Sequence, residues 1–536
     1  MAARASTDAA ALAVNATGVT YYVSPSGKNT NAGTSPSKPW KDVRRANSST
    51  FRAGDQLLFQ GGAVFSGELT LSADDKGSTI APIVIGSYGA GRATINAGTG
   101  TALSIYNTSG IVIRNLSVVG SGTSTNAGSG IDVFTDLPGG VKLPFIRIDS
   151  VDASGFGEFG IAIGSWNNST GFSDVRVSYS VTYDNGRGGV STYAQAPYAH
   201  QNVYFGHLLS YRNSGLTGST DNTGSGITMG GVTGGMIERS VARENGWLCT
   251  ASAGPVGIWT YDSDGVVIQF NESYRNRTGG PADGGGFDLD QNTRNAVVQY
   301  NYSHDNDGPG YLLAHSPNTS THSGNTLRYN VSENDGRRNG TGAIVIWGRT
   351  IGAEIYNNTV YVSPSSSGSP KAFFLHNATI PGQDVQRVHV RNNIFYAAGG
   401  VTTLFVSADQ LNGAVDLRFE GNNYHSPGAA PQIVWGSATY SGIGTWRSTT
   451  TQEMLAGVAL GSQVNPRLTS PGNGGTIGNA ELLSALTAYR LLATSPMIDR
   501  GLHIPNLFNL PVGQTDYFAG SLPFGRAYDV GAHERR

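Results

Sequence analysis

The chain has 536 residues, a formal net charge of −2 and only 13% charged side chains, against 75 glycines. No basic stripe marks a nucleic-acid partner, and no apolar run reaches the ~18 residues of a membrane span. The lone Cys249 excludes an intramolecular disulfide, and a vocabulary of Gly, Asn, Ser, Thr, Val and Tyr points to short strands and tight turns rather than helices.

Residues 1–18 are Ala-rich and polar, lack the apolar core of a signal peptide, and predict a flexible leader. Residues 19–80 predict an N-terminal cap with the first coils. Within it Thr20–Val23, Gln56–Phe59 and Glu68–Leu71 are strand candidates, and Trp40–Ala46 is a short amphipathic helix candidate. From residue 81 to about 430 a Gly- or Ala-apolar pair recurs. The pairs begin at Gly130, Gly160, Gly189, Gly226, Gly257, Gly286, Gly310, Ala343 and Ala372, at spacings of 30, 29, 37, 31, 29, 24, 33 and 29. A second alternating segment follows each pair, such as Val266–Ile268 or Val388–Val390. An asparagine then comes at 115, 271, 301, 330, 358, 393 and 422. Stacked asparagines can bond from coil to coil, so these residues predict a turn ladder.

Strand, turn, strand, Asn turn and loop in about 30 residues predict an all-β solenoid, a right-handed parallel β-helix. Residues 431–536 predict a C-terminal cap folded back on the coils, with one helix over Asn479–Leu492.

Side chains alternate on a strand. In Gly286-Phe287-Asp288-Leu289-Asp290, Phe287 and Leu289 point inward, and both aspartates point outward. Aligned on the same beat, the flanking coils offer outward Trp259, Tyr261, Leu312, Ala314, Val345, Trp347 and Phe374. His315, Arg349 and His376 lie at strand ends, with Asp262 and Asp307 in neighbouring turns. Two aspartates on one strand face run against β propensity. Paired acids supply a proton donor and a base or nucleophile for glycosidic cleavage, and exposed rings offer faces for pyranoses to stack on. Asp288 and Asp290 are therefore the predicted acid/base pair, with Asp307 as substitute. Trp259, Tyr261, Asp262, His315, Trp347, Arg349, Phe374 and His376 are the predicted sugar-binding residues. Residues i and i+2 have Cβ atoms about 6.5–7 Å apart, which fits either stereochemical outcome and favours inversion. No zinc ligand set is present, and no cofactor is required for hydrolysis. Clustered Asp-x-Asp-Gly fragments leave Ca²⁺ binding open.

The chain resembles the pectate-lyase-like superfamily of right-handed β-helix proteins. The resemblance is carried by Tyr21-Tyr22-Val23-Ser24-Pro25-Ser26-Gly27, Gly33–Trp40, Arg52–Phe59 and the closing Asp529-Val530-Gly531-Ala532-His533-Glu534. It implies a secreted or cell-surface bacterial protein acting on polysaccharide, as hydrolase or lyase. Asp283–Asp290 is similar to the Asp-Gly-Phe motifs of aspartate-rich, Ca²⁺-binding pectate lyases. Those enzymes imply a lysine base on an adjacent strand. Of the six lysines here, only Lys371 abuts a groove strand, three coils and roughly 14 Å from Asp288. A hydrolase is therefore expected before a Ca²⁺-dependent lyase with an arginine base, or a non-catalytic tailspike-like glycan binder. The oligomeric state is left open.

Overall fold

The glycine beat has a steric cause. In the computed structural model, which describes residues 18–315, 321–376, 382 and 384–536, a Cβ on Gly286 would meet the Ser303 Oγ at 2.2 Å and the Gly310 carbonyl at 2.9 Å. On Gly257 it would meet the Ser273 Oγ at 2.1 Å. At these corners a buried serine and the next coil's backbone leave no room for a side chain, and among the recurring pairs only those at Ala343 and Ala372 admit a methyl group. The predicted leader, up to residue 17, lies outside the described residues.

The chain divides into two units, one running to Ser214 with Thr228–Gly235, the other Gly215–Ile227 with Met236–Arg536. In the first, three parallel sheets stack coil on coil. One holds Leu69–Leu71, Leu103–Tyr106, Ile131–Thr135, Phe159–Ser165 and Gly188–Ala194. The predicted strands at 20–23, 56–59 and 68–71 appear as Thr20–Val23, Gln56–Gln60 and Leu69–Leu71, and the predicted helix as Val43–Asn47.

The second unit repeats the plan. The strands Val256–Tyr261, Gly285–Leu289, Tyr311–Ala314, Gly342–Trp347, Lys371–His376 and Thr402–Val406 pair in parallel as one sheet. Isoleucine, phenylalanine and leucine alternate into the core, as Ile258, Phe287, Leu289, Ile344 and Phe373. A coil has three strands, not the expected two. The third, such as Glu272–Tyr274 or Val331–Glu333, follows the asparagine and is too short for alternation to show in sequence.

The asparagines form the predicted ladder. Side-chain amides donate from Asn271 to Asn301, to Asn330, to Asn358, to Asn393 and to Asn422, over 2.9–3.0 Å. Asn422 then donates to the buried Glu453 carboxylate at 2.8 Å. A second ladder, not anticipated, runs Asn245, Asn276, Asn306 and ends on Asp335. Asn115 is exposed and belongs to neither.

The tail packs along the third sheet of this unit. Leu468, Leu483, Leu486, Leu491 and Met497 bury against Tyr302, Val331 and Ile394. The single helix expected over Asn479–Leu492 is instead two 3₁₀ segments, Ala480–Ala485 and Thr487–Tyr489. Leu483, Leu486 and Tyr489 are buried at intervals of three, which fits three residues per turn better than 3.6. The closing motif is a tether: Asn357 donates to the Asp529 and Gly531 carbonyls, and the Thr359 hydroxyl accepts from the Ala532 amide.

Two buried carboxylates fasten the tail further. Glu272 accepts the Ile477 and Gly478 amides at 2.8 and 2.6 Å, and Glu333 accepts the Gly474 amide and the Tyr489 hydroxyl at 2.8 and 2.5 Å. His304 lies between Glu272 and Asp305, at 3.2 and 3.1 Å. Burial alone would keep this imidazole neutral. The two carboxylates outweigh it and push His304 up to about 8. A folded pKa above the unfolded value means the contribution is complete below about pH 6.5 and disappears as pH rises through about 8. His304→Gln is therefore expected to shrink the loss of melting temperature across that window, measured by calorimetry at both ends. An identical loss in the variant would refute the assignment.

Candidate active site

Strand pairing converts the sequence alignment into rows of side chains. Trp259 pairs with Asp288, Asp288 with Leu312, Leu312 with Val345, and Val345 with Phe374. Two residues on, Ala314 pairs with Trp347 and Trp347 with His376. Above these rows lies a cavity of about 460 Å³, within the usual size of a small-molecule site. Asp283, Asp288 and Asp290 form its acidic wall. Leu312, Ala314, Val345, Trp347, Phe374 and His376 form the apolar and aromatic wall, and Pro281, Asn339 and Thr341 contribute to its lining.

The acidic wall is electrostatically strained. Asp288 is 4% exposed, and its Oδ1 has no hydrogen-bond partner among the described residues. Burial, with the charges of Asp290 and Asp283 added, holds its carboxyl protonated well above the ordinary range. Asp290 is pushed up to about 7, mainly by burial, against the Gln291 amide that its Oδ1 accepts at 2.7 Å. Burial also raises Asp283, while the Gly254 amide, 2.9 Å from its Oδ2, opposes the shift. One carboxyl is thus held neutral beside two that carry charge more readily, the division of labour acid–base catalysis requires.

The opposite wall is neutral. Burial, with Lys371 adding, lowers His376 to about 4, against the opposing pull of Asp409. Its uncharged ring stacks on Phe374 at 4.3 Å and 11°. Lys371 stands beside this wall without being part of the lining. Its Nζ lies 4.6 Å from the Phe374 ring and donates to the Gly340 and Ser369 carbonyls at 2.6 and 3.0 Å. No lysine or arginine is among the described residues lining the cavity.

Of the predicted site residues, the structure brings Asp288, Asp290, Trp347, Phe374 and His376 to one cavity. The others sit outside its lining. Asp307, the expected substitute acid, is bound by the Arg277 guanidinium at 2.9 Å and the Thr278 amide at 3.2 Å, and it holds a turn. Trp259 is only 8% exposed and stacks on Tyr261 at 5.0 Å instead of presenting a free face. Asp262 accepts from the Asn292 side chain at 2.7 Å. His315 is buried, its pKa lowered by burial and by nearby Arg349, and its amide donates to the Trp347 carbonyl. Arg349 does not line the cavity either. Asp283 is the addition. Its φ of 51° and the 75° of Gly284 set a left-handed turn that delivers the carboxylate to the wall. In sequence, Asp283 is the first residue of the Asp283–Asp290 motif, but its Asp-Gly is also explained by ordinary turn chemistry. Among the described residues no group of three His, Cys, Asp or Glu is gathered closely enough to hold a metal ion.

Residues 202–360 match the family model described as a right handed beta helix region. A lacto-N-biosidase of Bifidobacterium longum subsp. longum is 24% identical over 480 residues, covering 70% of this chain and 30% of that protein. The chain thus spans under a third of that relative's length. Among solved structures, the GH136 lacto-N-biosidase from Eubacterium ramulus is 18% identical over 67% of this chain and 68% of that one, with a TM-score of 0.47. The pectate lyase Pel9A is 16% identical over 97% of each chain, with a TM-score of 0.44. The stacked parallel sheets and the matched coils identify the fold as a right-handed parallel β-helix.

Proposed function

We propose that the protein is a glycoside hydrolase acting on an uncharged glycan, with Asp288 as proton donor and Asp290 as the partnering carboxylate. The observation that carries this reading is the Asp288–Asp290 face on the cavity wall, with one carboxyl held protonated and its Oδ1 unpaired. In the reaction Asp288 gives its proton to the leaving glycosidic oxygen as the bond to the anomeric carbon breaks. Asp290 then takes a proton from the attacking water, or attacks the carbon itself. Asp283 adds negative charge that keeps the Asp288 proton in place. Trp347 gives a sugar ring an apolar face, while Phe374 is held between His376 and Lys371 and backs the wall.

Two further points support hydrolysis of a neutral sugar over elimination on a uronate. Among the described residues no lysine or arginine lines the cavity to receive a substrate carboxylate, and the charges of Asp290 and Asp283 would repel one. The likeness to a lacto-N-biosidase points the same way and makes an oligosaccharide ending in lacto-N-biose the first substrate to test. A secreted or cell-surface location belongs to the same proposal, since polymeric and host-derived glycans are met outside the cell.

The test is incubation with neutral oligosaccharides and polyuronates, read by reducing ends and ultraviolet absorbance together. New reducing ends without an absorbing product, unaffected by chelator, are expected. An absorbing, chelator-sensitive product would establish a lyase, and saturable binding without cleavage would establish a binding protein.

A further inference from the structure

The first unit carries an aromatic surface that the cavity does not use. In its sheet, Tyr106 pairs with Phe134, Phe134 with Gly164, and Gly164 with Tyr193. All four positions therefore share the outward face. Gly164 is where this row lacks a side chain, and the Tyr193 ring fills the space: a Cβ on Gly164 would fall 2.1 Å from its Cζ. Tyr193 thus lies across the sheet toward Phe134, with centroids 6.5 Å apart although their strands are two coils apart. Tyr106 lies 6.3 Å from Phe134 with planes only 5° apart, and Phe159 lies 6.4 Å from Tyr193 at 22°. These spacings lie at the wide end of the range for offset-stacked rings, so the aromatic row is continuous along the sheet.

Within the row Tyr106 is 41% exposed and Phe134 and Tyr193 are half-buried, and Trp166, just past the end of the strand that holds Gly164, is 58% exposed. The Tyr106 hydroxyl donates to Asp136, whose two oxygens both lie 2.8 Å away, and Asn107 donates to the same carboxylate at 2.8 Å. Ordering the ring before any ligand arrives removes part of the entropy cost of binding. Acidic groups border the row. Asp132 lies one row over, opposite Ser104 and Ala162, near enough to Glu68 and Glu158 to feel both charges.

We propose that this row is a glycan-binding platform, on which the apolar faces of an uncharged saccharide chain stack on Tyr106, Phe134 and Tyr193 while carboxylates beside the rings accept its hydroxyls. The rings supply flat apolar area with little side-chain entropy to lose. Although Arg187 pairs with Glu158 at 2.5 Å, Asp132, Asp136 and Glu68 leave the border acidic, which disfavours nucleic acid and polyuronates as occupants. The platform does not depend on the hydrolase reading, because nothing in it requires cleavage.

The experiment is affinity electrophoresis of the full chain carrying Asp288→Asn, which keeps gel polysaccharides intact. The gels contain hydroxyethyl cellulose, galactomannan, β-galactan or polygalacturonate. Retardation by at least one neutral polymer and none by polygalacturonate is expected. Tyr106→Ala and Tyr193→Ala should each weaken it at least tenfold. Trp166→Ala, a change at an exposed residue that leaves the packed interior untouched, should weaken it severalfold, with melting temperature unchanged. The proposal is overturned if no neutral polymer retards the chain, if folded ring variants migrate like the parent, or if polygalacturonate is retarded through the same tyrosines.

Discussion

Asp288→Asn is expected to lower kcat by about 10²–10⁴-fold, the range for loss of a positioned general acid, and at the same time to raise the melting temperature at pH 8. The two effects have one origin. Asp288 is buried without a partner for its Oδ1 among the described residues, and its folded pKa stands well above the ordinary 3.8. The native state therefore holds this proton more tightly than the unfolded chain does. Below about pH 4 the group costs the fold little. As pH rises from there toward the folded pKa, the unfolded state gains stability by ionising while the native state does not. An uncharged amide of the same shape removes that growing penalty. The difference in melting temperature between variant and parent should be near zero at pH 4 and positive at pH 8, read by calorimetry. Full residual turnover would remove Asp288 from the mechanism. Lost turnover with a lower melting temperature at pH 8 would show that its carboxyl is a structural hydrogen-bond donor instead. Asp290, at about 7, should place a limb of the activity profile near neutrality, and Asp290→Asn should remove that limb along with most of the activity.

Which residues were legible beforehand follows from how far each contact reaches along the chain. The Gly286 corner recurs in most coils because the chain there packs against the next coil's backbone with no room for a Cβ, and the exceptions among the pairs, Ala343 and Ala372, are as small as a side chain can be, so steric crowding wrote a period into the sequence. Alternation then placed Asp288 and Asp290 on one face, and equal spacing put Trp347, Phe374 and His376 in register with them. The turn residues had no such rule. Asp307 and Asp283 both precede glycines, yet one is drawn to Arg277 and the other to the cavity. The difference is made by partners about thirty residues away, and the local sequence does not contain them. Alternation correctly set Trp259 outward but says nothing about what lies over an outward ring. Tyr261 supplies that cover. The third strand of each coil was hidden for another reason: three residues such as Glu272–Tyr274 are shorter than one visible alternation.

The seven asparagines look alike in sequence, and the fold separates them, with a large difference in stability expected. Asn330 donates from Nδ2 to the Val298 and Arg328 carbonyls at 2.9 Å each and to the Asn358 Oδ1 at 3.0 Å. Its Oδ1 accepts both the backbone and side-chain N–H of Asn301 at 3.0 Å. All of these groups are buried, and no water can replace the lost side chain without opening the ladder. An unsatisfied buried group costs about 1–3 kcal/mol, and the groups here are coupled through one chain of amides. Asn330→Ala is therefore expected to destabilise by about 3–5 kcal/mol, at the top of the range for single substitutions. Asn330→Asp should do comparable damage, since it removes the donors and adds a buried charge. Asn115 is exposed with φ 54°, so its role is the left-handed turn, and Asn115→Gly should change stability by no more than about 1 kcal/mol. Urea unfolding of the three variants measures the contrast through their midpoints. Similar small losses at Asn330 and Asn115 would mean that the ladder merely decorates coils already held by their sheets. A large loss confined to Asn330 would make the amide chain, as much as the apolar interior, what holds each coil to the next.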